Sequence, residues 1–220
     1  IEAKKQPTKL KVHTPYYIGG KRVRSVTTII DANLAWKWPA LMAWQRNMLL
    51  AGTDPKAITR EAADVGTIAH AMIEEFLSGQ EIVERDQWSP VQISEAEVAF
   101  GSFMAWYERQ KLDVIDTEVS LTHRHYRFGG TADLICDLNG KFTLIDFKSS
   151  KALYEDFVIQ LAAYQMLVKH RYGRSPDCWI LRLGKERPEF EIHHYPEVTN
   201  ERNSVIMLVK LDRLREKIKR

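Results

Sequence analysis

The sequence predicts an α/β domain in which a central mixed β-sheet is flanked by helices and preceded by a helical N-terminal part. Three observations point there. Residues 31–110 read as helical, and near Asp113 the texture changes to β-type segments. Asn139-Gly140 joins two of those segments with a strong hairpin signal. Beyond them the order is helix, strand, strand, helix, the pattern of strands connected by a crossover.

The elements follow in order. Residues 1–15 are polar and read as a loose lead-in. Tyr16-Tyr17-Ile18, a Gly19-Gly20 turn and β-branched residues up to Ile30 predict a short hairpin over 16–30. A Trp-rich stretch (Trp36, Trp38, Trp44) precedes a helix that begins near Asp54-Pro55 and is ended by Gly79. Another helix starts after Ser89-Pro90. Strands are expected over 113–123, 127–138 and 141–148, then an amphipathic helix over 153–171, closed by Gly173 and Pro176. Two strands, 177–183 and 189–195, lead to a basic C-terminal helix over 199–219. We expect one domain over 1–220, with a helical N-terminal part (1–112), a sheet core (113–195) and the basic helix (196–220).

Bulk properties narrow the class without deciding it. The chain has 220 residues, is 45% hydrophobic and 28% charged, and carries a formal net charge of +3. It is long enough for a real core and has the composition of an ordinary globular protein. Mild basicity neither requires nucleic acid nor argues against it, because local patches matter more than the sum. The two cysteines, Cys136 and Cys178, lie far apart in apolar runs and form neither a disulfide framework nor a thiolate metal motif. That predicts an intracellular setting: the cytoplasm of a bacterial host, or a mitochondrial matrix if a targeting segment has been removed upstream. No apolar run is long enough to span a bilayer, so no membrane partner is expected.

The chemistry concentrates on two neighbouring strands. Alternation along Leu144-Ile145-Asp146-Phe147-Lys148 puts Asp146 and Lys148 on one face of a buried strand. A carboxylate and an ammonium there are costly unless paired or bound to something. Taken alone, a structural ion pair explains them equally well. Asp133 enters the preceding strand just before the apolar Leu134-Ile135-Cys136. Counting back from Asn139-Gly140 sets Asp133 opposite Asp146, and two like charges side by side call for a cation or a proton. Hard divalent ions take carboxylate oxygens in this way. The glycines Gly129-Gly130 would let another chain segment come close.

Two helices supply further polar groups. His70 shares a packed helix stripe with Gly66, Ile73 and Glu74, where a lone histidine is more commonly a core residue than a ligand. Gln160 and Tyr164, spaced i, i+4, put polar tips on a core-facing stripe and need partners in the sheet or in a ligand.

Together these residues resemble the PD-(D/E)xK nuclease superfamily, and within it the RecB-type exonuclease domains. The matching motifs are Gly66-x-x-x-His70, Gly130-x-x-Asp133, Asp146-x-Lys148 and Gln160-x-x-x-Tyr164, in family order. Ser25-Val26-Thr27-Thr28-Ile29-Ile30 followed by Leu41-x-x-Trp44 is similar to the lead-in of the mitochondrial genome maintenance exonuclease and related phage nucleases. The resemblance implies a restriction-endonuclease-like core. It also implies Mg²⁺ or Mn²⁺ held by His70, Asp133, Asp146 and the Phe147 carbonyl, with Glu118 in support, and Lys148, Gln160 and Tyr164 beside the reaction. An iron–sulfur cluster, which family members hold with four cysteines, is not expected. The implied substrate is DNA with a free single-stranded end, with Trp36, Trp38 and Trp44 as candidates to stack on unpaired bases. No G-x-x-x-x-G-K-[ST] occurs, so a helicase, annealing or replication partner would be a separate chain. Rival readings are a structure-specific endonuclease and a catalytically inactive DNA-binding module on the same scaffold.

Overall fold

Ser25 decides where the first strand pair ends. The computed structural model describes residues 14–218; the lead-in before residue 14, and Lys219 and Arg220, lie outside them. β1 (Tyr16–Ile18) and β2 (Lys21–Ser25) pair antiparallel around Gly19-Gly20, whose positive φ values of 56° and 72° suit glycine. The Ser25 side chain then accepts from the Thr28 amide and opens helix α1 (Val26–Asn33). Sequence patterning had these β-branched residues continuing as strand to Ile30. They turn helical because Val26, Ile29 and Ile30, spaced i, i+3, i+4, bury one stripe against the core. Tertiary burial outweighs the weak β preference of the side chains.

A 3₁₀ turn (Ala35–Lys37) leads into α2 (Trp38–Leu50), none of whose residues is buried. α3 (Pro55–Ser78) starts where Asp54 accepts from the Lys56 amide and Pro55 fills the first turn; Gly79, at φ 66°, ends it. α4 (Pro90–Tyr107) opens with a reciprocal capping box between Ser89 and Gln92.

The sheet follows. β3 (Leu112–His123), β4 (Phe128–Leu138) and β5 (Lys141–Lys148) run antiparallel in succession, and Asn139 and Gly140 take the left-handed turn their types favour. α5 (Glu155–Tyr172) crosses over to β6 (Asp177–Leu183), which lies parallel to β5, and β7 (Phe190–Tyr195) closes that edge antiparallel. β2 pairs parallel to the start of β4. The sheet is therefore mixed, as expected. α6 (Thr199–Ile218) ends the described chain.

Helices cover both faces. Val26, Leu161, Leu167 and Leu208 of α1, α5 and α6 pack on Leu144 and Ile135, while Ile68, Phe103 and Trp106 of α3 and α4 pack on Leu134, Ile145 and Phe147. Each fully buried large side chain contributes about 1.5–3 kcal/mol. Cys136 and Cys178 are free, buried and on opposite faces. Among the described residues no helix is long and apolar enough to cross a membrane.

Candidate active site

The site forms where β4 and β5 part. Their pairing ends at Leu134↔Ile145, while the start of β4 pairs with β2 through Ser25↔Gly129. Asp133 and Asp146 follow one step past that last pair, close enough for the Asp133 charge to be felt at Asp146. The Phe147 amide, beyond the end of the β4–β5 pairing, donates to Asp133 Oδ2 at 2.7 Å. Buried backbone donors need such a partner, so this bond fixes the Asp133 carboxylate on the β5 backbone.

A third carboxylate belongs to the same row. Thr117↔Leu134 and Val119↔Ala132 bracket Glu118 and put it opposite Asp133 on the other side of β4. Glu118 has φ 44°, a left-handed conformation that costs a non-glycine residue about 1–2 kcal/mol. His70 reaches in from α3, its Nδ1 3.5 Å from Glu118 Oε1 and 3.8 Å from Asp133 Oδ1. Ligand atoms of His70, Glu118 and Asp133 all lie within 4.8 Å of one another. Asp146 is outside that trio, so the sequence-derived set of His70, Asp133 and Asp146 is joined by a Glu118 that stands nearer its centre than a supporting role suggested. The signal that would have found it is the β3–β4 register.

Asp146 is 1% exposed. Lys148 Nζ lies 2.6 Å from its Oδ2 as an ion pair. Lys148 Nζ donates to Gln160 Oε1 at 3.0 Å, and Gln160 Nε2 donates to the Tyr164 hydroxyl at 2.7 Å. The polar stripe of α5 thus finds its partner in the sheet, through the lysine. Tyr164 packs tightly on the backbone, since a Cβ at Gly130 would lie 2.7 Å from its Cε1. The two glycines therefore admit side chains of the chain itself, Tyr16 at Gly129 and Tyr164 at Gly130.

The electrostatics are those of crowded acids around an imidazole. Burial pulls the His70 pKa down, but the Asp133 and Glu118 carboxylates outweigh it and hold it at about 9. Burial raises Asp133 against the pull of His70. Burial also raises Asp146 against the pull of Lys148. Tyr164 is pushed well up by burial and by the Asp146 and Asp133 charges. Partly buried oxygens with unmet bonding capacity, beside one imidazole, fit a hard divalent cation.

The site opens on a cleft of about 1110 Å³, lined also by Tyr16, Ser120, Thr131 and Phe157. Tyr16 was not singled out by sequence; its hydroxyl bonds Thr131 Oγ1 at 2.8 Å. Trp36 and Trp38 are 59% and 51% exposed, whereas Trp44 is half-buried.

A family model of the PD-(D/E)XK nuclease superfamily matches residues 42–220. The chain belongs to that superfamily. No curated protein matches the sequence. Solved structures that resemble this PD-(D/E)XK chain include SSO0001 (18% identity, TM-score 0.36, covering 56% of this chain and 59% of that one). A candidate exonuclease from Eubacterium rectale is 15% identical (TM-score 0.43, covering 70% and 65%). The alkaline exonuclease LHK-Exo from Laribacter hongkongensis is 12% identical (TM-score 0.36, covering 72% and 89%). The chain spans less than two thirds of the first two proteins. Within the superfamily fold, the four motifs read from the sequence meet at one place: His70 beside Asp133, Asp133 bonded to Phe147, and Lys148 joined to Asp146, Gln160 and, through Gln160, Tyr164.

Proposed function

We propose that this PD-(D/E)XK chain is a divalent-metal-dependent deoxyribonuclease that hydrolyses phosphodiester bonds from free single-stranded DNA ends. The observation that carries the reading is the row Glu118–Asp133–Asp146 across three strands, with His70 facing it and Lys148 held at its end. His70, Glu118, Asp133, Asp146 and the Phe147 carbonyl would hold Mg²⁺ or Mn²⁺. Such an ion, when bound, supplies Lewis-acid stabilisation and a water of lowered pKa.

The remaining work falls to the chain's own side chains. Lys148 is fixed between Asp146 Oδ2 and Gln160 Oε1, so its ammonium is positioned in advance to meet negative charge that develops on the phosphate. Gln160 and Tyr164 hold that lysine in place. Asp133, tied to the β5 backbone, keeps β4 and β5 at the separation the site needs. The exposed Trp36 and the half-buried Trp44 would stack on unpaired bases. Such an enzyme would serve DNA recombination, repair or replication, alongside a helicase or annealing protein on another chain.

The test is digestion of end-labelled linear and circular single-stranded DNA with Mg²⁺ or Mn²⁺, with Lys148→Ala and Asp146→Asn as controls. Loss of linear but not circular DNA in the wild type, abolished in both variants, is expected. Degraded circles would make it an endonuclease, and equal behaviour of wild type and variants would overturn the reading.

A further inference from the structure

The turn joining β3 to β4 gathers positive charge that no acid among the described residues answers. The His123 ring stacks on His170 of α5, with centroids 4.4 Å apart and planes at 14°. The Arg124 amide donates to His170 Nε2 at 3.5 Å, and Arg213 of α6 donates to the Tyr126 carbonyl. Arg124, Arg127, Lys169 and Arg213 are all exposed around this stack. Among the described residues none of the four makes an ion pair with a carboxylate. Arg24, by contrast, is answered by Asp212 and Glu216, and Lys37 by Asp31 and Asp156. A fold that holds like charges together without counter-charge is suited to a polyanion.

The same two strands that hold this tip carry the acidic row. Glu118 lies five residues before His123 on β3, and Asp133 five residues after Phe128 on β4. At about 3.3 Å per strand residue the tip stands about 17 Å from the row. That is about five nucleotides at the 3.4 Å rise of a duplex strand, and fewer in a stretched single strand. Guanidinium groups suit phosphate oxygens by their fork geometry.

We propose that the β3–β4 tip, with the facing ends of α5 and α6, is a second DNA contact that grips phosphates about five nucleotides from the scissile bond. The proposal rests on the nuclease reading and gives its substrate a minimum useful length. Because the tip and the acidic row share one hairpin, the grip fixes the register of the strand in the cleft.

The experiment is fluorescence anisotropy of labelled single-stranded oligonucleotides in EDTA, where no cleavage intervenes. Arg124→Ala/Arg127→Asn is the variant, asparagine being chosen because Arg127 has φ 48°. For a twenty-nucleotide strand the variant should bind roughly tenfold more weakly, with a salt slope shallower by about 0.7 per lost phosphate contact. A trinucleotide should bind wild type and variant alike, and its cleavage rate with Mg²⁺ should not change. Equal loss on short and long strands, or none on long ones, overturns the proposal. So does unchanged DNA affinity with lost binding to phosphatidylserine vesicles, which would make the tip a membrane contact. A wild type that binds no DNA sinks the nuclease reading itself, whereas a binding wild type with an indistinguishable variant sinks the tip alone.

Discussion

The two ends of the β3–β4 hairpin carry opposite crowds of charge. In the stems Glu118 and Asp133 stand opposite each other with Asp146 beyond; at the tip Arg124, Arg127, Lys169 and Arg213 gather around the stacked His123 and His170. Both arrangements repel themselves, yet they differ in burial. Asp133 and His70 are largely shielded, and their pKa values move because the charges are desolvated. The tip is exposed, and salt screens it over about 10 Å. A shielded acidic crowd suits one small, tightly held cation. An exposed basic crowd suits an extended polyanion held by many weak contacts. The first should govern rate and the second affinity.

The largest effect that separates them is at the acidic end. Lys148→Ala should lower the cleavage rate about 10³-fold, the scale of removing a positioned electrostatic group. Asp146→Asn should do the same and also leave Lys148 without its ion-pair partner. Chelation of divalent ions should stop cleavage completely while binding of a long oligonucleotide at the tip persists. Should EDTA abolish binding and cleavage together, the division of labour between the two ends fails.

Next in size is a packing test of the site's support. Gly130→Ala would bring a Cβ to 2.7 Å from the Tyr164 ring and 3.0 Å from Leu167. Overpacking of this kind costs about 1–3 kcal/mol. Because Tyr164 anchors Gln160, and Gln160 holds Lys148, the variant should lose activity beyond what its lowered melting temperature explains. A Gly130→Ala protein that melts and cuts like wild type would show that the close approach at Tyr164 does not matter. Glu118→Gln should have an intermediate effect, weakening metal affinity measured by titration calorimetry more than it weakens DNA binding. Unchanged metal affinity would remove Glu118 from the site.

How much of this was legible beforehand follows from local physics. Asp133, Asp146 and Lys148 were readable because a two-residue turn at Asn139-Gly140 fixes the register by counting. Helix ends were readable where caps are explicit, at Asp54, Gly79 and Ser89. Glu118 was harder, since the β3–β4 turn has no such signature and β3 carries an irregularity between Val114 and Asp116. The basic tip could not be read at all, because Arg124, His170 and Arg213 are brought together only by the packing of three elements. Val26–Ile30 misled in the other direction: a β-branched run was taken into a helix by the stripe it could bury.

The smallest effect tests the charge at the tip without any DNA. Burial, then the charges of His170 and His125, pull the His123 pKa from the usual 6.5 to about 4. Between those values the unfolded chain binds a proton at His123 that the folded chain refuses, so stability must fall as pH drops from about 6.5 to 4. Above pH 6.5 the residue is neutral in both states and contributes no slope. The ring is only partly shielded, so solvent screening keeps the effect to a few degrees of melting temperature. His123→Gln removes the titrating group, and its melting temperature should decline less steeply over this range than that of wild type, whatever the variant loses at pH 7 from the stack on His170. A long oligonucleotide should also flatten the wild-type curve, because bound phosphates favour the protonated ring. Parallel curves for the two proteins, with and without the oligonucleotide, would mean that the histidines at the tip do not feel one another's charge.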